Sequence, residues 1–69
     1  MVFKKIVLIG RSTENFEDAI NDAVNRAEQT LDNLMWVSVE NQALELAQPE
    51  REYQAEVEIA FELEDGIGE

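Results

Sequence analysis

The alternation of apolar and polar positions divides this chain into four elements. "VFKKIVLIG" (residues 2–10) is rich in β-branched and aromatic residues and closes on Gly10, the composition of a strand. Over "RSTENFEDAINDAVNRAEQTLDN" (residues 11–33) the period changes. Phe16, Ala19, Ile20, Ala23, Val24, Ala27 and Leu31 follow the i, i+3, i+4, i+7, i+8 spacing of one amphipathic helical stripe. Ser12 or Thr13 is the expected N-cap, and Glu14, Glu17 and Asp18 sit where the helix dipole favours anions. The helix is expected to end near Asp32 and Asn33. A second strand is predicted from about Leu34 to Leu46, and "AQPE" turns the chain at Pro49. The third strand is "REYQAEVEIAFELE" (residues 51–64). It puts Tyr53, Ala55, Val57, Ile59, Phe61 and Leu63 on one face and Gln54, Glu56, Glu58, Ala60, Glu62 and Glu64 on the other. "DGIGE" reads as a frayed acidic tail.

Geometry then restricts the topology. The helix carries the chain back, so strands one and two run parallel, and a hairpin makes strand three antiparallel to both. Strand three fits between them, giving a three-stranded antiparallel-type sheet of order 1-3-2. The fold class is α+β, a β-α-β-β unit forming a single domain over residues 1–69, with one helix on one sheet face and the other face uncovered. Strand two changes phase. Met35, Val37 and Val39 point to the core and Trp36, Ser38 and Glu40 away from it, yet the next leucines, Leu44 and Leu46, are even-numbered. A β-bulge within Asn41–Ala43 restores the apolar side to the core. The alternative turns Leu44 and Leu46 outward into a subunit contact.

Composition narrows the chemistry. A chain of 69 residues buries only about 60% of its unfolded surface and is marginal alone. With no Cys and no His, disulfides, thiolate metal sites, the commonest zinc ligand and the usual neutral-pH base are all absent. Partner subunits are the remaining support, so a homo-oligomer is expected. Sixteen acidic residues against five basic give a net charge of −11, which disfavours binding to nucleic acid or an anionic membrane. The bland reading of this charge is a solvated, self-repelling surface. The favoured one is adaptation to a salt-rich cytoplasm, where screening cancels the repulsion. No segment approaches the ~20 apolar residues of a membrane span. "MVFKKIVLIG" lacks a signal-peptide cleavage site and reads as mature protein, and a cytoplasmic location is expected.

The lone tryptophan raises the functional question. Trp36 shares its strand face with Ser38 and Glu40 and looks onto Gln54, Glu56, Glu58 and Glu62 of strand three. Three readings are open: chance exposure, an interface anchor, or a stacking platform for a flat ligand. The Gln54 amide can pair with the donor–acceptor edge of a heterocycle, although a strand glutamine is more often simply solvated.

The pieces "FKKIVLIGRSTENFEDAINDAVNRAEQTLDN", "WVSV" and "YQAEVEIAFELED", in this order, resemble the dodecins, small flavin-binding proteins that assemble as hollow homododecamers. The likeness covers essentially the whole chain and is nearest to the dodecins of salt-loving archaea. It implies that Trp36 stacks on the isoalloxazine ring and that Gln54 hydrogen-bonds the ring's polar edge, with flavins stacked in pairs between symmetry-related Trp36 residues. Val37 and Ser38 beside the indole, and Glu45, complete the candidate cofactor-binding set; Glu45 and Asn41 could contact a ribityl chain or a cation. Bacterial-type dodecins carry an arginine in strand two for the phosphate of flavin mononucleotide (FMN), whereas "ENQALEL" here has no basic residue. Riboflavin, lumiflavin or lumichrome is therefore expected to bind ahead of FMN. The resemblance implies non-enzymatic flavin storage and photoprotective quenching. The alternative is a purely structural homo-oligomer with Trp36 as an interface anchor. A flavin oxidoreductase is disfavoured, since nothing resembles a nucleotide-binding glycine loop. No metal site is identifiable from the spacing of the acidic residues.

Overall fold

The four segments form four elements in the computed structural model, which describes residues 1–47 and 49–63: β1 (Val2–Ser12), α1 (Phe16–Thr30), β2 (Leu34–Glu45) and β3 (Glu52–Leu63). β3 lies between the other two strands and pairs antiparallel with both, so the sheet order is β1-β3-β2, as the connection lengths require. The expected acidic tail, and Glu64 before it, lie outside the described residues.

Local chemistry moves some boundaries. The N-cap is Asn15, whose side-chain oxygen accepts from the Asp18 amide at 2.7 Å. Ser12, one of the expected caps, instead accepts from the Glu14 amide at 2.9 Å and folds the turn before the helix. Glu14 thus precedes the helix, while Glu17 and Asp18 occupy its first turn. The helix stops at Thr30, and Asn33 takes a left-handed conformation (φ 61°) that turns the chain into β2. Gly10 does not close β1. The strand runs on to Ser12, and Gly10 is the point where the helix backbone comes closest: a Cβ there would lie 1.8 Å from the Ala19 carbonyl oxygen. A strand glycine commonly marks such an approach.

The core is correspondingly small-residued. Ala19, Ala23 and Ala27 of the helix stripe pack on Ala55, Val57 and Ile59 of β3, with Ile6, Leu8, Ile20 and Val24 around them. At the open end of this layer Phe16 meets Tyr53 edge to face, with centroids 5.0 Å apart.

Strand two departs most from expectation. Its register slips twice, at Met35 and at Glu40. The Glu40 bulge lies one residue before the expected Asn41–Ala43 stretch. It has the expected result: beyond it Leu44 pairs with Tyr53 on the helix side. Leu46 lies past the strand and is exposed. The Met35 bulge places Leu34 opposite Phe61 and removes Met35 from the core row. Val37 and Val39 do face the helix side, opposite Ile59 and Val57, but remain exposed. The reason is width. A helix about 10 Å across covers two strands spaced ~4.8 Å apart, and α1 lies over β1 and β3. The radius of gyration, 13.8 Å, exceeds the ~11 Å of a compact domain of this length. The chain by itself leaves several large apolar side chains open.

Candidate functional site

Cross-strand pairing assigns the side chains of the uncovered sheet face. β1 contributes Phe3, Lys5, Val7, Ile9 and Arg11; the central strand contributes Glu52, Gln54, Glu56, Glu58, Ala60 and Glu62; β2 contributes Trp36, Ser38, Asn41, Ala43 and Glu45. Trp36 sits opposite Ala60, and its ring meets Phe3 edge to face at 5.4 Å with an interplanar angle of 86°. Since β1 and β2 are separated by β3, the two rings must meet above the central strand. Ala60 makes this possible: its methyl is small enough to leave room, and it is fully buried beneath the pair. The indole is thus held by its own sheet and still 45% exposed. Lys5 pairs with Glu58 at 3.3 Å near this end.

The other end of the face is polar and ordered. Arg11 donates to Glu52 through two nitrogens, Nε to Oε2 and Nη2 to Oε1, the latter at 3.0 Å. Gln54 Nε2 donates to the same Glu52 Oε2 at 3.1 Å. The backbone amide of Arg11 donates to Asp22 at 3.0 Å, tying this strand end to the helix. The Arg11 guanidinium, followed by the Gln54 amide, holds the Glu52 carboxyl below the usual carboxylate range, and the same pairing raises Arg11. Glu45 stands directly across from Glu52, a like-charge pair that Arg11 offsets from the opposite side. Beside Gln54, a shallow pocket of about 70 Å³ is lined by Ile9, Asn41, Gln42, Ala43 and Glu56.

The structure separates the expected site residues into these two clusters. Trp36 and Ser38 share the uncovered face at one end. Gln54 and Glu45 share it at the other. Val37 points to the helix side, opposite Ile59, where a hollow of about 140 Å³ is lined by Val24, Glu28, Leu34, Met35, Val37 and Ile59, and is bordered also by Trp36. Six residues along β3 separate the partner of Trp36 from Gln54, a span of about 20 Å. The two expected ligand-contacting residues therefore lie toward opposite ends of the uncovered face.

Four participants escaped sequence reading: Phe3, Ala60, Arg11 and Glu52. One signal was available for the second face of β1. "IVLIG" is apolar at both odd and even positions, the mark of a strand covered on both faces. Val7 and Ile9 are 56% and 60% exposed, so this face of β1 is left open within the chain. Among the described residues, no acidic group is arranged to hold a metal ion, and no helix is long and apolar enough to cross a membrane.

Comparison with known proteins agrees with this fold. Residues 2–64 match the dodecin family profile. A dodecin of Thermus thermophilus is 38% identical over 65 residues, covering 93% of this chain and 94% of its own. The crystal structure of the tt0972 protein from the same organism superposes with a TM-score of 0.86 at 38% identity, over 93% of this chain and 96% of that one. The dodecin from Streptomyces davaonensis gives a TM-score of 0.85 at 29% identity, again over 93% and 96%. On the strength of a profile match across nearly its whole length and of these relatives, the chain belongs to the dodecin family.

Proposed function

We propose that this chain is a non-enzymatic flavin-binding protein that self-assembles, as a homododecamer, and stacks riboflavin-type flavins against Trp36. The observation that carries the proposal is the half-exposed indole, held edge-on by Phe3 over Ala60 on an uncovered sheet face. An apolar aromatic fixed in this way offers a flat, preorganised platform, and stacking a heterocycle on such a ring contributes about 1–3 kcal/mol.

The span between Trp36 and Gln54 makes assembly part of the site. The stacking ring comes from one subunit and the hydrogen-bonding amide from a neighbour. The exposed Val7 and Ile9 of β1 and the uncovered Val37 and Val39 of β2 supply apolar surface for such contacts. Flavins pair between two Trp36 residues, leaving no free ring face for a second substrate, so the role is storage and quenching of photochemistry in the cytoplasm. The row of Glu56, Glu58 and Glu62 beside the platform disfavours a phosphate. Riboflavin, lumiflavin and lumichrome therefore bind ahead of FMN. The relatives above come from Thermus and Streptomyces, so salt adaptation rests on the net charge of −11 alone.

A purely structural oligomer anchored by Trp36 is the competing reading, favoured by the same exposed apolar rows. Denaturing the purified protein and chromatographing what it releases separates the two. A released flavin, and apoprotein that extinguishes riboflavin fluorescence on titration, are expected. Colourless protein that leaves riboflavin emission unchanged would sink the flavin reading.

A further inference from the structure

The Arg11–Glu52–Gln54 chain lies far from its own Trp36 and is absorbed by neither stacking nor core packing. Glu52 accepts both Arg11 donors in fork geometry, so its carboxylate plane is fixed from β1. Its Oε2 then accepts from Gln54 Nε2 at 3.1 Å. An ionised carboxylate has no proton to donate, so only the nitrogen end of the Gln54 amide can face it. This removes the freedom by which a glutamine amide usually flips. With one N–H committed to Glu52, the carbonyl oxygen Oε1 and the second N–H are left for a ligand. A carbonyl acceptor beside an N–H donor complements a cyclic imide, which presents N–H next to C=O.

We infer that Glu52, clamped by Arg11, is a positioning residue that locks the Gln54 amide in the orientation that reads the imide edge of a flavin-type heterocycle. The inference rests on the flavin reading above and adds the source of edge selectivity. Arg11 has a second effect. It offsets the Glu45/Glu52 like-charge pair, so the carboxylate that orients Gln54 does not repel the carbonyl oxygens of the arriving ring.

The test compares riboflavin with 3-methylriboflavin, in which the imide N–H is replaced by N–CH3 while the stacking surface is kept. Affinities are read by fluorescence titration on the assembled protein. The parent is expected to prefer riboflavin by at least about fivefold, the worth of one net hydrogen bond. In Glu52→Gln the neighbouring amide presents either end, Gln54 is free to flip, and the preference should fall to within about twofold. The emission of bound riboflavin should stay quenched, because Trp36 is untouched. Arg11→Met provides a second variant that keeps the acceptor-only carboxylate but frees its plane, so the preference should drop there by less than in Glu52→Gln. A parent that binds riboflavin with quenched emission but shows no preference, or two variants that keep the parental ratio, would overturn the positioning role and leave the flavin reading standing. A parent that binds neither flavin would overturn both.

Discussion

Replacing Trp36 with Ala removes the proposed platform, and the structure permits its two costs to be separated. Trp36 is 45% exposed, so a little over half of its surface is covered, with Phe3 and Ala60 beside it on the uncovered face. Taking ~250 Å² for the side chain, roughly 140 Å² leaves water, worth up to about 3.5 kcal/mol of folding stability at 25 cal/mol per Å². That is a meaningful loss for a small domain but is confined to the uncovered face, away from the alanine-lined core. The second cost falls on the ligand. Loss of one stacking contact, about 1–3 kcal/mol, weakens binding roughly 5- to 150-fold, and a flavin pair held between two indoles loses both walls. Trp36→Phe keeps an apolar ring against Phe3, so it should recover most of the stability and only part of the affinity. Far-UV circular dichroism with thermal melting reads the first cost. Titration of riboflavin fluorescence reads the second. If folded Trp36→Ala binds riboflavin as tightly as the parent, stacking on this residue is not the basis of binding.

Three further outcomes follow from particular contacts. Gly10→Ala would place a methyl carbon 1.8 Å from the Ala19 carbonyl oxygen, so the helix must lift from β1; overpacking of this kind costs about 1–3 kcal/mol or more, and an unchanged melting temperature would disprove the close approach. Riboflavin should bind more tightly than FMN at low salt, and the gap should narrow toward molar salt as the screening length falls from ~30 Å at 0.01 M to ~3 Å; paired titrations check this, and tighter FMN at low salt would show that the carboxylate row does not govern selectivity. The Glu52 carboxyl is lowered by Arg11 and Gln54, while Glu45 faces it from β2 and Asp22 lies beside Arg11. The stabilisation is present above the unfolded carboxylate value near ~4.3 and is lost as pH falls through the lowered folded value. In an NMR titration the Glu52 carboxyl should therefore titrate below its counterpart in Arg11→Met, and coincident curves would refute the pairing.

The sequence by itself determined the element order, the sheet order and the helix stripe. Each follows from local periodicity and chain length: Phe16 to Leu31 repeats at helical spacing, and "YQAEVEIAFEL" alternates almost without fault. A bulge in β2 was one of two readings the phase change allowed, the other turning Leu44 and Leu46 outward. Its position at Glu40, and the second bulge at Met35, were not legible. Bulges are set by which cross-strand pairs pack, and that competition involves β3, which is distant in sequence. The cap moved from Ser12 or Thr13 to Asn15 for a related reason: several adjacent side chains can cap, and the end of β1 at Ser12 decides where the chain turns. Trp36 and Gln54 were identifiable as unusual residues on a polar face, but only the tertiary structure decided their relation. Register places their strand positions about 20 Å apart, toward opposite ends of one sheet face. It also brought Phe3 across the central strand to Trp36, and Arg11 to Glu52 over 41 positions of sequence. Period-2 and period-3.6 patterns say which way a side chain faces. Which distant side chain it meets there is fixed by strand pairing, and one residue of slip would change every answer.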